Sequence, residues 1–307
     1  MSINTLEFKT KLTDGLDEQL IEKSATAFMA DNVMRAKFVG AKTVLVPTVD
    51  FVGLGDYDRE SGFANGGVTL SHKSYTLTRD RGRTFTIDRE DMDEIGVSNL
   101  AGQLMGEFVR TQVAPEVDAY TISTLANIAS DNSQTETLAS GKTINTGCVA
   151  LLSKLIADVN DKAGYDEPTV AFLNPTFYNA LMNSEELQRR IDIGNFEKGN
   201  ISTNVKMFNG CALIPVSDAR MKTAFTYNDG VTSGQTDGGF EVATNAQTVG
   251  ALVLPKKAAS LVKKTEKIRV FEPDQYQSQD AYKFDYRIYY DVLVPESKKQ
   301  TVYACLY

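Results

Sequence analysis

At 307 residues, 42% hydrophobic and 23% charged, the chain has an ordinary globular composition and room for one large or two medium domains. Its formal charge of −8 removes any general electrostatic case for gripping nucleic acid, which needs clustered Lys and Arg. The single histidine, His72, excludes HExxH and every zinc site with two histidine ligands, and leaves a nucleophilic triad only that one imidazole.

His72 lies between Ser71 and Lys73 with no carboxylate placed to orient it, the setting of an exposed strand residue. Cys148, Cys211 and Cys305 are widely spaced, form no CxxC, and read as reduced, packed small hydrophobes. No apolar run approaches the ~20 residues of a membrane span. The opening MSINTLEFKT lacks the features of a secretory signal, so the expectation is a protein kept in the cytosol. No metal or cofactor is expected.

Residues 1–40 carry amphipathic helical stretches, with Leu16, Leu20, Ala27 and Phe28 at helical spacing and Asp14 as an N-cap. Met29, Val33, Met34 and Phe38 extend the apolar face. KTVLVP (42–47) is an apolar strand. It leads into an excursion, TVDFVGLGDYDRESGFANGGVTL (48–70), and a returning strand, SYTLTRDRGRTFTI (74–87). The excursion interleaves Phe51, Val52, Leu54, Phe63, Val68 and Leu70 with five glycines. A structureless loop of that length is improbable inside a compact domain, so it reads as an element reaching beyond its own subunit.

After IDREDMDEIGVSN, a cap at Ser98 or Asn99 opens a long helix to Ala129, with a stripe of Leu100, Leu104, Phe108, Val113, Val117, Tyr120, Leu125 and Ile128. Met105 and Val109 broaden that stripe. Pro115 should bend or interrupt it. Uninterrupted, such a helix spans ~45 Å at ~1.5 Å per residue and suits a spine. Residues 131–146 are polar loop. CVALLSKLIADVNDK (148–162) is helix, PTVAFLNP (168–175) strand, TFYNALMNSEELQRR (176–190) helix, and CALIPVS (211–217) strand, the order of a small α/β domain. NDGVTSGQTDGG (228–239) is a turn region. ALVLP (251–255) and IRVF (268–271) follow as strands. KFDYRIYYDVLV and TVYACLY then read as an antiparallel hairpin, with Phe284, Tyr286, Ile288, Tyr290, Val292 and Val294 on one face.

Three motifs invite chemistry and are weak. Gly141-Lys142-Thr143 ends like a phosphate loop, but Glu136 stands where that pattern needs glycine. Gly53-Leu54-Gly55 has Asp58 at the third glycine position. Asp56, Asp58 and Glu60 start like a calcium loop that has Ser61 and Gly67 at its required glycine and glutamate. The acidic run Asp88, Glu90, Asp91, Asp93 and Glu94 favours a helix N-terminus. It can also meet Arg79, Arg81 and Arg83, within the subunit or on a neighbour. Lys256, Lys257, Lys263, Lys264 and Lys267 form a basic cluster, read as a solvated strand edge.

The order of parts, with SHKSYTLTRDRGRTFTIDREDMDE, PTVAFLNPTFYNAL, NGCALIPVSDARM and IRVFEPDQYQSQDAYKFDYRIYYDVLVP, resembles the HK97-type major capsid proteins of tailed bacteriophages. The resemblance implies an α+β fold, with an N-terminal arm at 1–40 and a peripheral domain at 41–145 and 245–307. That domain would hold the extended loop 48–73 and spine helix 98–129, beside an axial α/β domain at 146–244. It further implies a non-enzymatic shell subunit of the virion, assembled in the host cytoplasm. Hexameric and pentameric capsomers would enclose double-stranded DNA without sequence specificity or membrane, with a portal and a separate scaffolding protein as partners. Expected subunit contacts are Phe51, Leu54, Asp56, Arg59, Phe63, Leu70, Arg79, Arg81, Arg83, Glu90 and Asp91. An encapsulin-type nanocompartment shell shares the fold and stands as the alternative.

Overall fold

The computed structural model describes residues 24–31, 37–40, 42–60, 62–90, 100–137, 144–184, 191–198, 201–276 and 278–307. Expectations placed on residues 1–23, on the Ser98 or Asn99 cap, on Asp91 and on Gly141-Lys142-Thr143 lie outside the described residues.

The strands in chain order are β1 (Lys37–Val39), β2 (Thr43–Phe51), β3 (Val68–Thr76), β4 (Arg79–Asp88), β5 (Thr135–Glu136), β6 (Thr169–Leu173), β7 (Ile191–Lys198) and β8 (Ile201–Phe208). They continue with β9 (Cys211–Pro215), β10 (Phe225–Tyr227), β11 (Phe240–Val242), β12 (Val249–Pro255), β13 (Ser260–Phe271), β14 (Ala281–Leu293) and β15 (Tyr303–Leu306). The helices are α1 (Leu100–Phe108), α2 (Ala114–Asp131), α3 (Ile144–Ala163), α4 (Pro175–Met182) and α5 (Glu296–Lys299).

Two large sheets share one helical spine. In the first, β13, β14 and β4 lie side by side, all antiparallel. Phe284, Tyr286, Ile288, Tyr290 and Val292 of β14 turn into the core with Met105, Val109, Val113, Val117, Ile122 and Leu125 of the spine. The second sheet has seven strands in the order β5-β15-β12-β6-β9-β8-β7. The period-2 alternation of β6 splits its side chains: Val170 and Phe172 join the spine, while Ala171 and Leu173 meet Leu152, Leu155 and Val159 of α3 and Phe177 of α4. All three cysteines are buried and unpaired with one another. Burial pushes the Cys211 thiol up to about 12 and the Cys305 thiol up to about 11.

The spine departs from a plain helix at the expected place and in an unexpected way. Pro115 sits in the first turn of α2, directly after a wider turn that carries the helix past its missing N–H. The five residues before it, Val109–Val113, widen into a π-helical turn in which Ala114 N–H reaches the Val109 carbonyl. Helical structure therefore continues from Leu100 to Asp131 instead of breaking. The apolar stripe shifts with the widened turn: Leu104 is exposed, and Ile122, Ala126 and Ala129 join the core.

Three other expectations are corrected. The returning strand read at 74–87 is two strands, parted at Leu77 and Thr78. Leu77 is buried against Tyr289 and Leu293, and Thr78 turns onto Asp291. The hairpin read in the last 25 or so residues does not form. Both edges of β14 are taken by β13 and β4, so β15 crosses to the second sheet and pairs with β12 and β5. β12, grouped in sequence with residues 245–307, lies near the middle of that sheet between β15 and β6, so strands from both sides of position 245 share it.

Candidate assembly surface

β2 and β3 form an antiparallel hairpin from Thr43↔Thr76 out to Phe51↔Val68, so the strands run well into the stretch expected to be loop. Its base is pinned to the body. Leu77 N–H donates to the Lys42 carbonyl at 2.8 Å, and Tyr289 donates its hydroxyl to the Leu77 carbonyl at 3.1 Å. The buried Asp291 carboxylate accepts from Thr78 N–H at 2.8 Å, from the Thr78 hydroxyl at 2.9 Å, and from the Tyr120 hydroxyl of the spine at 2.7 Å.

Alternation gives the two faces of this hairpin opposite fates. Val44 and Val46 face the body and are buried with Leu77, Tyr289 and Leu293. The register places Val49 opposite Leu70 and Phe51 opposite Val68, and these four share the face turned away from that packing. Phe51 is 75% exposed and Leu70 69%, with Val49 and Val68 also exposed. Together they form an apolar patch with nothing from the described residues over it.

Beyond Phe51 the tip is a compact turn. Asp58 and Gly62 exchange main-chain hydrogen bonds at 3.2 and 2.8 Å, and Glu60 N–H donates to the Asp58 carboxylate at 2.7 Å. Gly62 adopts a φ of +80°, and a Cβ on Gly55 would meet Ala64 Cβ at 2.8 Å, so these two positions require glycine. The Tyr57 and Phe63 rings touch at 4.8 Å, yet Phe63 stays 88% exposed and Leu54 fully so. Asp56 and Arg59 are exposed beside them.

The arginines of β4 are placed differently. Arg79 lies between the rings of Tyr120 and Tyr227, at 4.5 and 3.9 Å from their centroids. Arg81 pairs with Glu116 at 2.7 Å and donates to the carbonyls of Asn228 at 2.7 Å and Gly239 at 3.1 Å. Burial opposes its charge, but the Glu116 hydrogen bond and carboxylate outweigh it and hold the guanidinium above its ordinary value. Arg83 donates twice to the Thr236 carbonyl at 3.1 Å. These side chains bind the 228–239 turn and the spine of their own subunit. Glu90 is exposed, its N–H on Asp88 at 2.9 Å, and Arg89 pairs with Asp280 at 3.8 Å.

Two buried carboxylates were not singled out in sequence. One is Asp291. The other, Asp118, accepts from Ser24 Oγ at 2.6 Å, Thr26 Oγ1 at 2.7 Å, the backbone amides of Ala25 and Thr26 at 3.0 and 3.1 Å, and Arg220 at 3.0 Å. It joins the N-terminal segment, the spine and the Asp218–Arg220 turn. The signal in each case was a charge inside an apolar run, Val117-Asp118-Ala119 and Tyr290-Asp291-Val292.

No helix among the described residues is long and apolar enough to cross a membrane. No curated protein matches the chain. Among solved structures it is similar to a virus-like particle from Pyrococcus furiosus, with 10% identity and a TM-score of 0.55 over 97% of this chain and 99% of that one. It is also similar to the mature capsid of bacteriophage PhiM1, with 13% identity and a TM-score of 0.55 over 87% and 82% of the two chains. The capsid of cyanophage P-SCSP1u matches with 14% identity and a TM-score of 0.55 over 88% and 84%. At these identities the likeness is one of fold. The family model described as phage capsid protein matches residues 73–304, from β3 into β15, so the chain belongs to that family, a structural and non-enzymatic capsid protein of HK97 type.

Proposed function

We propose that this chain builds hexameric and pentameric capsomers that close into an icosahedral head around double-stranded DNA, with the arm at 48–73 laid across a neighbouring copy. The observation that carries this is the hairpin's division of faces. Its inward face is spent on Val44 and Val46, while the patch of Val49, Phe51, Val68 and Leu70 is left exposed by the described residues and open to another subunit. Phe51, Leu54, Phe63 and Leu70 are the proposed apolar contacts, with Asp56 and Arg59 flanking them. Arg79, Arg81 and Arg83 act first inside the subunit, positioning the 228–239 turn. Glu90 stays with the proposed contacts on exposure alone.

In this reading residues 1–40 are the N-terminal arm, 41–145 with 245–307 the peripheral domain, and 146–244 the axial domain. The axial label then describes residues around a sheet to which β12 and β15 also contribute. A portal, a separate scaffolding protein and assembly in the host cytoplasm belong to the same proposal. The acidic surface, at −8, suits a container that must release its genome.

A charge on the outward face tests the arm. Phe51→Asp and Leu70→Asp each place a carboxylate where apolar surface would be buried, a loss of about 2 kcal/mol per contact that repeats at every subunit. Both variants should fold and fail to form shells in negative-stain microscopy. Thr69→Lys, on the other face and opposite Asp50, should assemble. Normal shells from Phe51→Asp would overturn the role of the arm. The encapsulin-type alternative draws on the near-complete overlap with the Pyrococcus furiosus particle. Shells purified from the native host that hold a cargo protein, and no DNA, would favour it.

A further inference from the structure

The hydrogen bonds at the two ends of the hairpin set the phase of its whole ladder. Val52 N–H donates to the Gly67 carbonyl at 3.3 Å, and Leu77 N–H to the Lys42 carbonyl at 2.8 Å. In an antiparallel pair the bonded positions recur every second residue, so Thr69, Ser71, Lys73 and Tyr75 spend their main-chain groups on β2. Val68, Leu70, His72, Ser74 and Thr76 therefore aim their N–H and C=O groups away from β2. On that side the sheet order β1-β2-β3 places no strand among the described residues.

The opposite edge of the hairpin is partly closed. Among the described residues β1 pairs with Thr43–Leu45, and the next outward position on β2 is Pro47, which has no N–H to give, leaving only Val49 and Phe51 open on that edge. Both edges of the sheet β13-β14-β4 are guarded by charge: β4 carries Arg79, Asp80, Arg81, Arg83 and Asp88, and β13 carries Lys263, Lys264, Glu266, Lys267 and Arg269. Among nine residues β3 has one charge, Lys73, and its ammonium lies on Glu296 of the same chain at 2.5 Å. An edge this long, exposed and sparsely charged is the kind that strand addition uses.

We propose that the outer edge of β3 is completed in the assembled shell by a strand from a second copy of this chain. The proposal rests on the shell reading above and names what covers this part of the arm. A second copy is the occupant because the free edge runs continuous with the apolar patch at Val68 and Leu70, which share their face and outward phase with His72 and Ser74. A polyanion such as DNA finds no free cation on this strand. The contact is main chain to main chain, so its signature alternates along β3.

Hydrogen exchange read at single-residue resolution on subunit and shell tests it. Amides of Leu70, His72 and Ser74 should slow by about tenfold or more on assembly, while Thr69, Ser71 and Lys73 are protected in both states. Equal exchange at Leu70, His72 and Ser74 before and after assembly would overturn the proposal. His72→Pro removes one outward N–H without touching the hairpin's own ladder, and should cut shell yield at least several-fold. His72→Ala keeps the N–H and should assemble normally. If Phe51→Asp blocks assembly while His72→Pro matches His72→Ala, strand addition fails and the arm's role stands. If Phe51→Asp assembles, the arm's role itself fails.

Discussion

Asp118 ties three separate parts of the subunit's body together. A fully buried carboxylate is tolerable only when its lone pairs are filled, and here two hydroxyls, two amides and the Arg220 guanidinium fill them. Asp118→Ala leaves those donors without an acceptor and should cost about 3 kcal/mol or more in urea unfolding. A loss below about 1 kcal/mol would mean the joint carries little. Asp229 gives a pH-dependent counterpart. Hydrogen bonds from the Thr232 hydroxyl and from the Val231 and Thr232 amides hold its carboxyl down to about 2. Because the folded value is depressed, its contribution is present above the ordinary carboxylate range and is lost as pH falls toward 2. The Thr232 amide resonance should titrate with a midpoint near that value, and a midpoint near 4 would contradict the turn geometry. The partners of Asp118 were not legible in advance. A lone Asp in an apolar stripe does not announce its partners, and those of Asp118 lie about a hundred residues away on either side.

At the scale of elements, local pattern served where one partner sufficed. The alternation of β14 correctly named its core face, because the spine covers that face along its length. It misled about β15, since which strand takes an edge is decided by competition among β13, β4 and the returning chain. Pro115 likewise signalled a disturbance, but a π turn and a broken helix have the same signature in sequence. The arm's strands were hidden by its glycines. Only Gly55 and Gly62 require their residue type, while Gly53, Gly66 and Gly67 meet open space. The pin at the arm's base makes a prediction at this scale. Tyr120→Phe removes one hydrogen bond to Asp291 and should cost about 1 kcal/mol, with faster exchange at Leu77 and Thr78. Unchanged exchange there would show that Tyr120 does not hold the arm.

For the molecule as a whole, the proposed shell asks one subunit to stay soluble alone and yet bury apolar surface among its copies. Its exposed apolar side chains are concentrated on the hairpin and its tip, away from the body's core. A charge of −8 adds mutual repulsion, so assembly should accelerate as salt shortens the screening length from ~30 Å at ~0.01 M to ~8 Å at ~0.15 M. Light scattering that showed assembly slowing over that range would oppose this account. The most direct test replaces Phe51–Val68 by Asn-Gly, a two-residue turn suited to the bonded pair Asp50↔Thr69. In sedimentation velocity the native chain should run as shells and capsomers, and the shortened chain as a folded, slowly sedimenting subunit. Shells of normal size from the shortened chain, or a native chain that stays monomeric at high concentration, would contradict it.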